Sequence, residues 1–207
     1  MITINNILEV ESYLNQIDGV VFDLDDTLYS EKNYVRSGYR KIAQNYPEIE
    51  NAEERLWNSF LKGEKAIDKV FDEASLDEKE KKNALNIYRA HMPVIELYAG
   101  VSEMLSRIKN KGKKIGIITD GRPDGQKNKI KALKLDVDQV IITDELGGIQ
   151  YRKPNKKAFE LMQNRWKIAF NKMVYIGDNV TKDFIAPKEL GMKVIYFKNA
   201  DGLYYVG

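Results

Sequence analysis

The sequence contains no cysteine and a single histidine, His91. The first absence excludes disulfides, thiol catalysis and thiolate metal sites, and the second leaves His91 without a partner for a histidine pair on a metal. A chain without cysteine is compatible with a reducing compartment. Surplus charge is missing too: 33 Lys and Arg face 31 Asp and Glu, a formal net charge of +2, which argues against a nucleic-acid binder or an acidic interaction tail. No apolar run approaches the roughly 20 residues of a membrane span. The first residues, MITINNILEVESYL, place Glu9 and Glu11 where an export signal needs basic residues and a continuous apolar stretch. These absences predict a cytoplasmic protein with no membrane or nucleic-acid partner, monomeric or homodimeric.

What is present is a chain of 207 residues, enough for one domain or for a core domain carrying a smaller one. Short apolar runs ending in loop-forming residues recur: GVVFDLD, KKIGIITDG, DQVIITDE, MVYIGDN and KVIYF. Nearly continuous β-branched and aromatic runs of this length suit strands buried on both faces of a parallel sheet. Between them VSEMLSRIKNKG, QKNKIKALKLD, NKKAFELMQNRW and TKDFIAPKELG have helical spacing; Gly112 suits a C-terminal cap and Pro187 a late start or bend. The alternation predicts an α/β fold with a doubly wound, mostly parallel sheet.

One stretch breaks the alternation. From Ser30 to Glu96 the pattern is helical only, with Val35, Tyr39, Ile42 and Tyr46 forming one apolar seam. Asn51 with Glu54 and Ser75 with Glu78 have capping-box spacing, so fresh helices are expected near both. The expected division is therefore a core of residues 1–29 and 97–207, with an inserted α-helical bundle at residues 30–96.

Four stretches at strand ends supply different chemical groups: Asp23 and Asp25 in DLDDT, Thr119 in IITDG, Lys153 in YRKP, and Asp178 with Asp183 in GDNVTKD. In an open parallel sheet the ligand crevice lies beyond the carboxyl ends of the strands, where all four can converge. Clustered carboxylates call for a cation, and oxygen-only donors favour a hard ion such as Mg2+ together with a phosphate. Lys153 and the Thr119 hydroxyl then supply a positive charge and a donor for phosphoryl oxygens.

These motifs, D-x-D-x-T at Asp23 to Thr27, the strand ending in Thr119, the Lys153-Pro154 pair and G-D-x-x-x-x-D at Gly177 to Asp183, resemble the four ordered motifs of the haloacid dehalogenase-like (HAD) superfamily. The insert after the first motif resembles its phosphoglycolate-phosphatase-like branch, in which a helical cap covers the crevice of a Rossmann-like core. The resemblance implies a Mg2+-dependent phosphatase acting on a small phosphorylated metabolite. It implies Asp23 as the nucleophile that forms an aspartyl-phosphate and Asp25 as acid and base, with Thr119 and Lys153 holding the phosphoryl group. It implies a metal held by the Asp23 carboxylate, the Asp25 backbone carbonyl and Asp178, with Asp183 orienting a metal-bound water or Lys153.

Leu24, Asp120, Gly121 and Arg122 are the expected substrate contacts beside them. Asp120 stands where the family commonly has Asn, so either its carboxylate points away or Arg122 offsets it. Arg36 and Arg40, at i and i+4, form either a solvated face or, with Arg122, a reader of a second anionic group on the substrate. Asp26 has no role beyond capping the turn that follows. A phosphomutase shares these residues, and a receiver-like phospho-Asp switch shares the acids, the Thr and the Lys-Pro but has no place for the insert.

Overall fold

The five apolar runs form five strands of one sheet in the computed structural model, which describes residues 1–203 and Tyr205. They are β2 (Gly19–Phe22), β3 (Lys114–Thr119), β4 (Gln139–Ile142), β5 (Met173–Gly177) and β6 (Lys193–Phe197). A sixth strand, β1 (Ile2–Ile4), was not expected from the sequence. It pairs with β6 at the sheet edge, and its three residues are too few and too exposed to show a pattern. The order is β1-β6-β5-β2-β3-β4, and every pairing is parallel. Residues 204, 206 and 207 of the expected core segment lie outside the described residues.

Side chains alternate across the sheet and feed two apolar layers. Val20, Phe22, Ile117 and Ile176 pack under a 3-10 helix (Ile7–Tyr13) and α5 (Val101–Asn110) on one face. Val21, Ile118, Tyr175 and Val194 pack under α7 (Lys157–Trp166) and α8 (Ile185–Glu189) on the other. A sheet covered on both faces explains why these strands lack polar alternation. Gly116 lets α7 approach closely: a Cβ there would sit 2.7 Å from Met162 Cε and 2.8 Å from the Trp166 ring.

Residues 31–90 form four helices, α1 (Glu31–Asn45), α2 (Ala52–Leu61), α3 (Ala66–Glu73) and α4 (Glu78–Ala90). Val35, Tyr39, Ile42 and Tyr46 all turn into a third, separate apolar cluster with Leu56, Val70 and Phe71. Helices start beside both expected capping boxes, but the caps differ. Asn51 sits in the left-handed region at φ 52° and makes no side-chain cap, while Asp77 rather than Ser75 caps α4 through Glu80 N–H at 2.9 Å.

The last core helices are also shorter than their patterns. α6 (Pro123–Ala132) begins on Pro123 and stops before Lys134, which has φ 50°. α8 is confined to five residues because the chain before it bends around the Asp183 carboxylate, which accepts the Asn179 N–H at 2.9 Å.

Candidate active site

β2 lies between β5 and β3, with Phe22 level with Ile176 and Ile117. The chain continues this register one step further, and Asp23 N–H donates to Ile176 O at 2.8 Å. Asp178, one residue beyond β5, and Thr119, the last residue of β3, therefore flank Asp23 on a rigid parallel frame. Asp23, Asp178 and Asp183 each offer a carboxylate oxygen within 4.8 Å of the others, and all three are buried. Among them stands the Lys153 ammonium, fully buried, 2.7 Å from Asp23 Oδ1, 2.8 Å from Asp183 Oδ1 and 2.9 Å from the Tyr175 hydroxyl.

Electrostatics in this cluster are unbalanced. Burial pushes the Asp23 carboxyl up to about 7 against the pull of Lys153, and pushes Asp178 up to about 9, with Asp23 and Asp183 adding repulsion. Lys153 is held well above its ordinary range by Asp183 and Asp23, which outweigh its own burial. One cation among three buried acids leaves negative charge uncompensated, and an all-oxygen donor set of this kind fits a hard divalent ion.

Asp25 has a different environment. Its Oδ1 accepts from the Tyr29 hydroxyl and from Lys129 Nζ at 2.7 Å, and its Oδ2 accepts from Gln126 Nε2 at 2.9 Å. Burial alone would raise Asp25, but the Lys129 ammonium and these hydrogen bonds overcome it and hold the carboxyl below its ordinary value. Lys129 is itself buried and lies 4.1 Å over the Tyr34 ring of α1. Gln126 Nε2 also donates to Thr119 Oγ1 at 2.7 Å. Because Thr119 Oγ1 accepts there, its own proton remains available for a ligand oxygen.

Two adjoining cavities meet at Asp25. The smaller, about 150 Å3, is lined by Asp23, Asp25, Asp178, Asn179 and Lys182; the larger, about 260 Å3, by Asp25, Tyr34, Tyr88, Arg89, Arg122 and Lys129. Asp25, Glu31, Asp120 and Arg152 line both. The Glu31 carboxyl, at the start of α1, is pushed up to about 8 by burial and by Asp25.

The expected residues divide accordingly. Asp23, Asp25, Lys153, Asp178 and Asp183 converge, with Thr119 joined to Asp25 through Gln126. Asp120 accepts from Thr143 Oγ1 at 2.9 Å and from Lys153 N–H at 3.1 Å, and pairs with Lys182 at 2.9 Å, so Lys182 rather than Arg122 offsets its charge. Gly121 and Arg122 line the larger cavity. The Leu24 side chain is buried in the sheet's core, and its carbonyl accepts from Leu28 N–H at 3.1 Å.

Arg36 and Arg40 form an ion-paired face on the insert and line neither of these two cavities. Both pair with Glu53, and Arg36 also with Glu54, where α1 meets α2, and they line another cavity beside Val94 and Glu96. Asp26 has a structural role larger than a turn cap: at φ 52° and buried, it accepts from Glu31 N–H at 2.8 Å and Leu203 N–H at 2.7 Å, joining α1 to the end of the chain.

No motif in the sequence singles out Gln126, Lys129, Glu31, Lys182 or Arg89. Gln126, Lys129 and Leu133 fall at helical spacing on one buried face of α6 and its end. Polar residues on an otherwise apolar stripe were the available signal.

Among the described residues no helix is long and apolar enough to cross a membrane. Comparison with known proteins agrees with the geometry. Residues 20–197 match the family described as haloacid dehalogenase-like hydrolase. The chain is 30% identical over 192 residues to glyceraldehyde 3-phosphate phosphatase of Methanocaldococcus jannaschii, covering 85% of this chain and 82% of that protein. It is 26% identical over 187 residues to pyrophosphatase PpaX of Bacillus cereus, covering 86% and 82%. A HAD-superfamily hydrolase of subfamily IA from Geobacter sulfurreducens superposes with a TM-score of 0.66 at 15% identity over 89% of each chain, which speaks for the fold alone. With the match spanning the first strand-end acids through the last strand, the chain belongs to the haloacid dehalogenase-like hydrolase family.

Proposed function

We propose that this protein is a Mg2+-dependent phosphatase that hydrolyses a small phosphorylated metabolite through an aspartyl-phosphate on Asp23. The observation that carries the reading is the fully buried Lys153 ammonium bridging Asp23 and Asp183 beside Asp178. Buried charge networks with strongly shifted carboxyls cluster at sites that handle charged ligands. The relatives named as phosphatase and pyrophosphatase support phosphate hydrolysis as the reaction class.

In this reading the phosphoryl group occupies the smaller cavity and the leaving group the larger one, so the scissile P–O bond passes Asp25. Lys153 keeps the buried Asp23 carboxylate ionised and oriented for attack on phosphorus. The Thr119 hydroxyl donates to a phosphoryl oxygen, as its bond from Gln126 leaves it free to do. Asp25 gives a proton to the departing oxygen and later takes one from the water that cleaves the Asp23 acyl phosphate. A phosphoryl dianion arriving beside Asp25 opposes the pull of Lys129 and favours the protonated form that the first step needs. Asp23 and Asp178 would hold Mg2+, which supplies charge neutralisation for the transferring group. Asp183, with both oxygens engaged by Lys153 and the Asn179 N–H, acts by fixing Lys153 and the 178–183 loop. Helices α1 to α4 act as a cap that bounds the leaving-group side and limits water.

The test is phosphate release from a panel of small phosphate esters with Mg2+ and with EDTA. The proposal expects Mg2+-dependent turnover that Asp23→Asn abolishes. Equal turnover in EDTA, or a wild-type rate in Asp23→Asn, would contradict it.

A further inference from the structure

The larger cavity carries a charge pattern that phosphate transfer itself does not require. Four cationic side chains line it: Arg89, Arg122, Lys129 and Arg152. Lys129 is committed to Asp25, and Arg152 to Asp144 through two 2.7 Å contacts. Arg89, in the last turn of α4, and Arg122, just before α6, have no carboxylate at ion-pair distance among the described residues.

These two guanidinium groups come from segments 33 positions apart in sequence, one on the helical insert and one on the core, and line the same cavity. Both line only the larger cavity, whereas Glu31, its one acid without a cation partner, also lines the phosphoryl side and so stands nearer the ester. At about 260 Å3 the space falls below the roughly 300–1,000 Å3 of drug-sized sites. The Tyr34 and Tyr88 rings set one wall. Unpaired guanidinium groups in a small, largely polar cavity suit the planar or tetrahedral oxygens of a carboxylate or phosphate.

We propose that the cavity selects phosphate esters whose leaving group carries a second anionic group, held between Arg89 of the helical insert and Arg122 of the core. The proposal rests on the hydrolase reading for the position of the ester, and names the substrate class within it. The cavity's size limits that leaving group to a few carbons. Because the two arginines sit on different segments, an anion between them also draws the insert toward the core.

The experiment compares esters of equal length: glycerol 3-phosphate and glyceraldehyde 3-phosphate as neutral probes, 3-phosphoglycerate as the carboxylate, and propanediol bisphosphate as the second phosphate. Two charge-assisted contacts predict a preference in kcat/KM of roughly a hundredfold or more for an anionic probe over the neutral ones. The preference should reside mainly in KM and fall to near unity in Arg89→Met/Arg122→Met, with the circular dichroism spectrum of the wild type retained. Which anionic probe is preferred separates carboxylate from phosphate chemistry. Equal kcat/KM for neutral and anionic probes, or a preference that survives the double substitution, overturns the proposal.

Calorimetric binding of the same probes to Asp23→Asn distinguishes the two readings. If no ester is turned over, the hydrolase reading fails, and the subsite is decided by whether binding still favours the anionic probes. Equal binding of neutral and anionic probes overturns the subsite on its own.

Discussion

Replacing Lys153 with Met removes one charge from the site while leaving a side chain of similar length in its place. Asp23 and Asp183, now 2.7 and 2.8 Å from the ammonium, would be left buried with no cation between them. Breaking a buried ion pair by deleting one partner costs about 3–5 kcal/mol. For a chain of this size each kcal/mol moves Tm by roughly 2–4 °C, so the expected fall is roughly 6–20 °C. The sign of the pH dependence follows from linkage. Asp23 stands at about 7 in the folded protein against an ordinary 3.8, and loss of Lys153 can only raise it. A carboxyl whose folded value is raised costs stability as pH climbs from the unfolded to the folded value, and that cost disappears on the way down. Asp23's share of the Lys153→Met deficit should therefore be smallest below about pH 7, where its carboxyl is protonated in both proteins, and grow as the pH climbs above 7 toward the variant's higher value. Thermal unfolding followed by circular dichroism in EDTA measures it. Adding Asp183→Asn to Lys153→Met should restore part of the loss, because it removes the repelling neighbour. A Tm within 2 °C of wild type at pH 8, by the same roughly 2–4 °C per kcal/mol scale, or a deficit that grows on acidification, refutes the electrostatic account of the site.

Other consequences can be checked independently. Asp25→Asn should slow first-turnover alcohol release from alkyl phosphates, whose departing oxygen needs protonation, by roughly 10²-fold or more, and the first-turnover burst from p-nitrophenyl phosphate far less, since Asp25 stands where the two cavities meet; equal losses on both substrates would remove Asp25 as the acid. Gly116→Val should destabilise by about 1–3 kcal/mol, seen in urea unfolding, because its Cβ meets Met162 and the Trp166 ring inside 3 Å; an unchanged midpoint would mean that α7 can shift off the sheet without cost.

Much of this architecture was legible in the sequence because it is local. Strands buried on both faces announce themselves as apolar runs, and the acids that follow them are placed by the rigid ends of β2 and β5. β1 was invisible because three residues at an edge carry no period. The caps of α2 and α4 were misassigned because Asn51 and Ser75 turn into the left-handed region, at φ 52° and 58°, a choice made by how α1 to α4 pack and not by local spacing. At the site, Asp23, Asp25, Asp178 and Asp183 were readable from motif order, whereas Lys129 looks like any lysine in QKNKIKALK. Its burial against Tyr34 and Asp25 arises only when α1 and α6 meet. Asp26 was opaque for the same reason, its partners being Glu31 and the distant Leu203. Arg36 and Arg40 went the other way: a plausible anion reader by spacing is an ion-pair face toward Glu53 in three dimensions.

The central claim is that Asp23 carries the phosphoryl group. Acid-quenching the protein within its first turnover with Mg2+ and a hydrolysed ester, followed by borohydride reduction and peptide mass spectrometry, tests it most directly. The account predicts reduction of residue 23 alone to homoserine, lost in Asp23→Asn and enriched when Asp25→Asn slows hydrolysis of the acyl phosphate. Turnover with no reducible acyl phosphate at Asp23, or one on a different carboxylate, would contradict it.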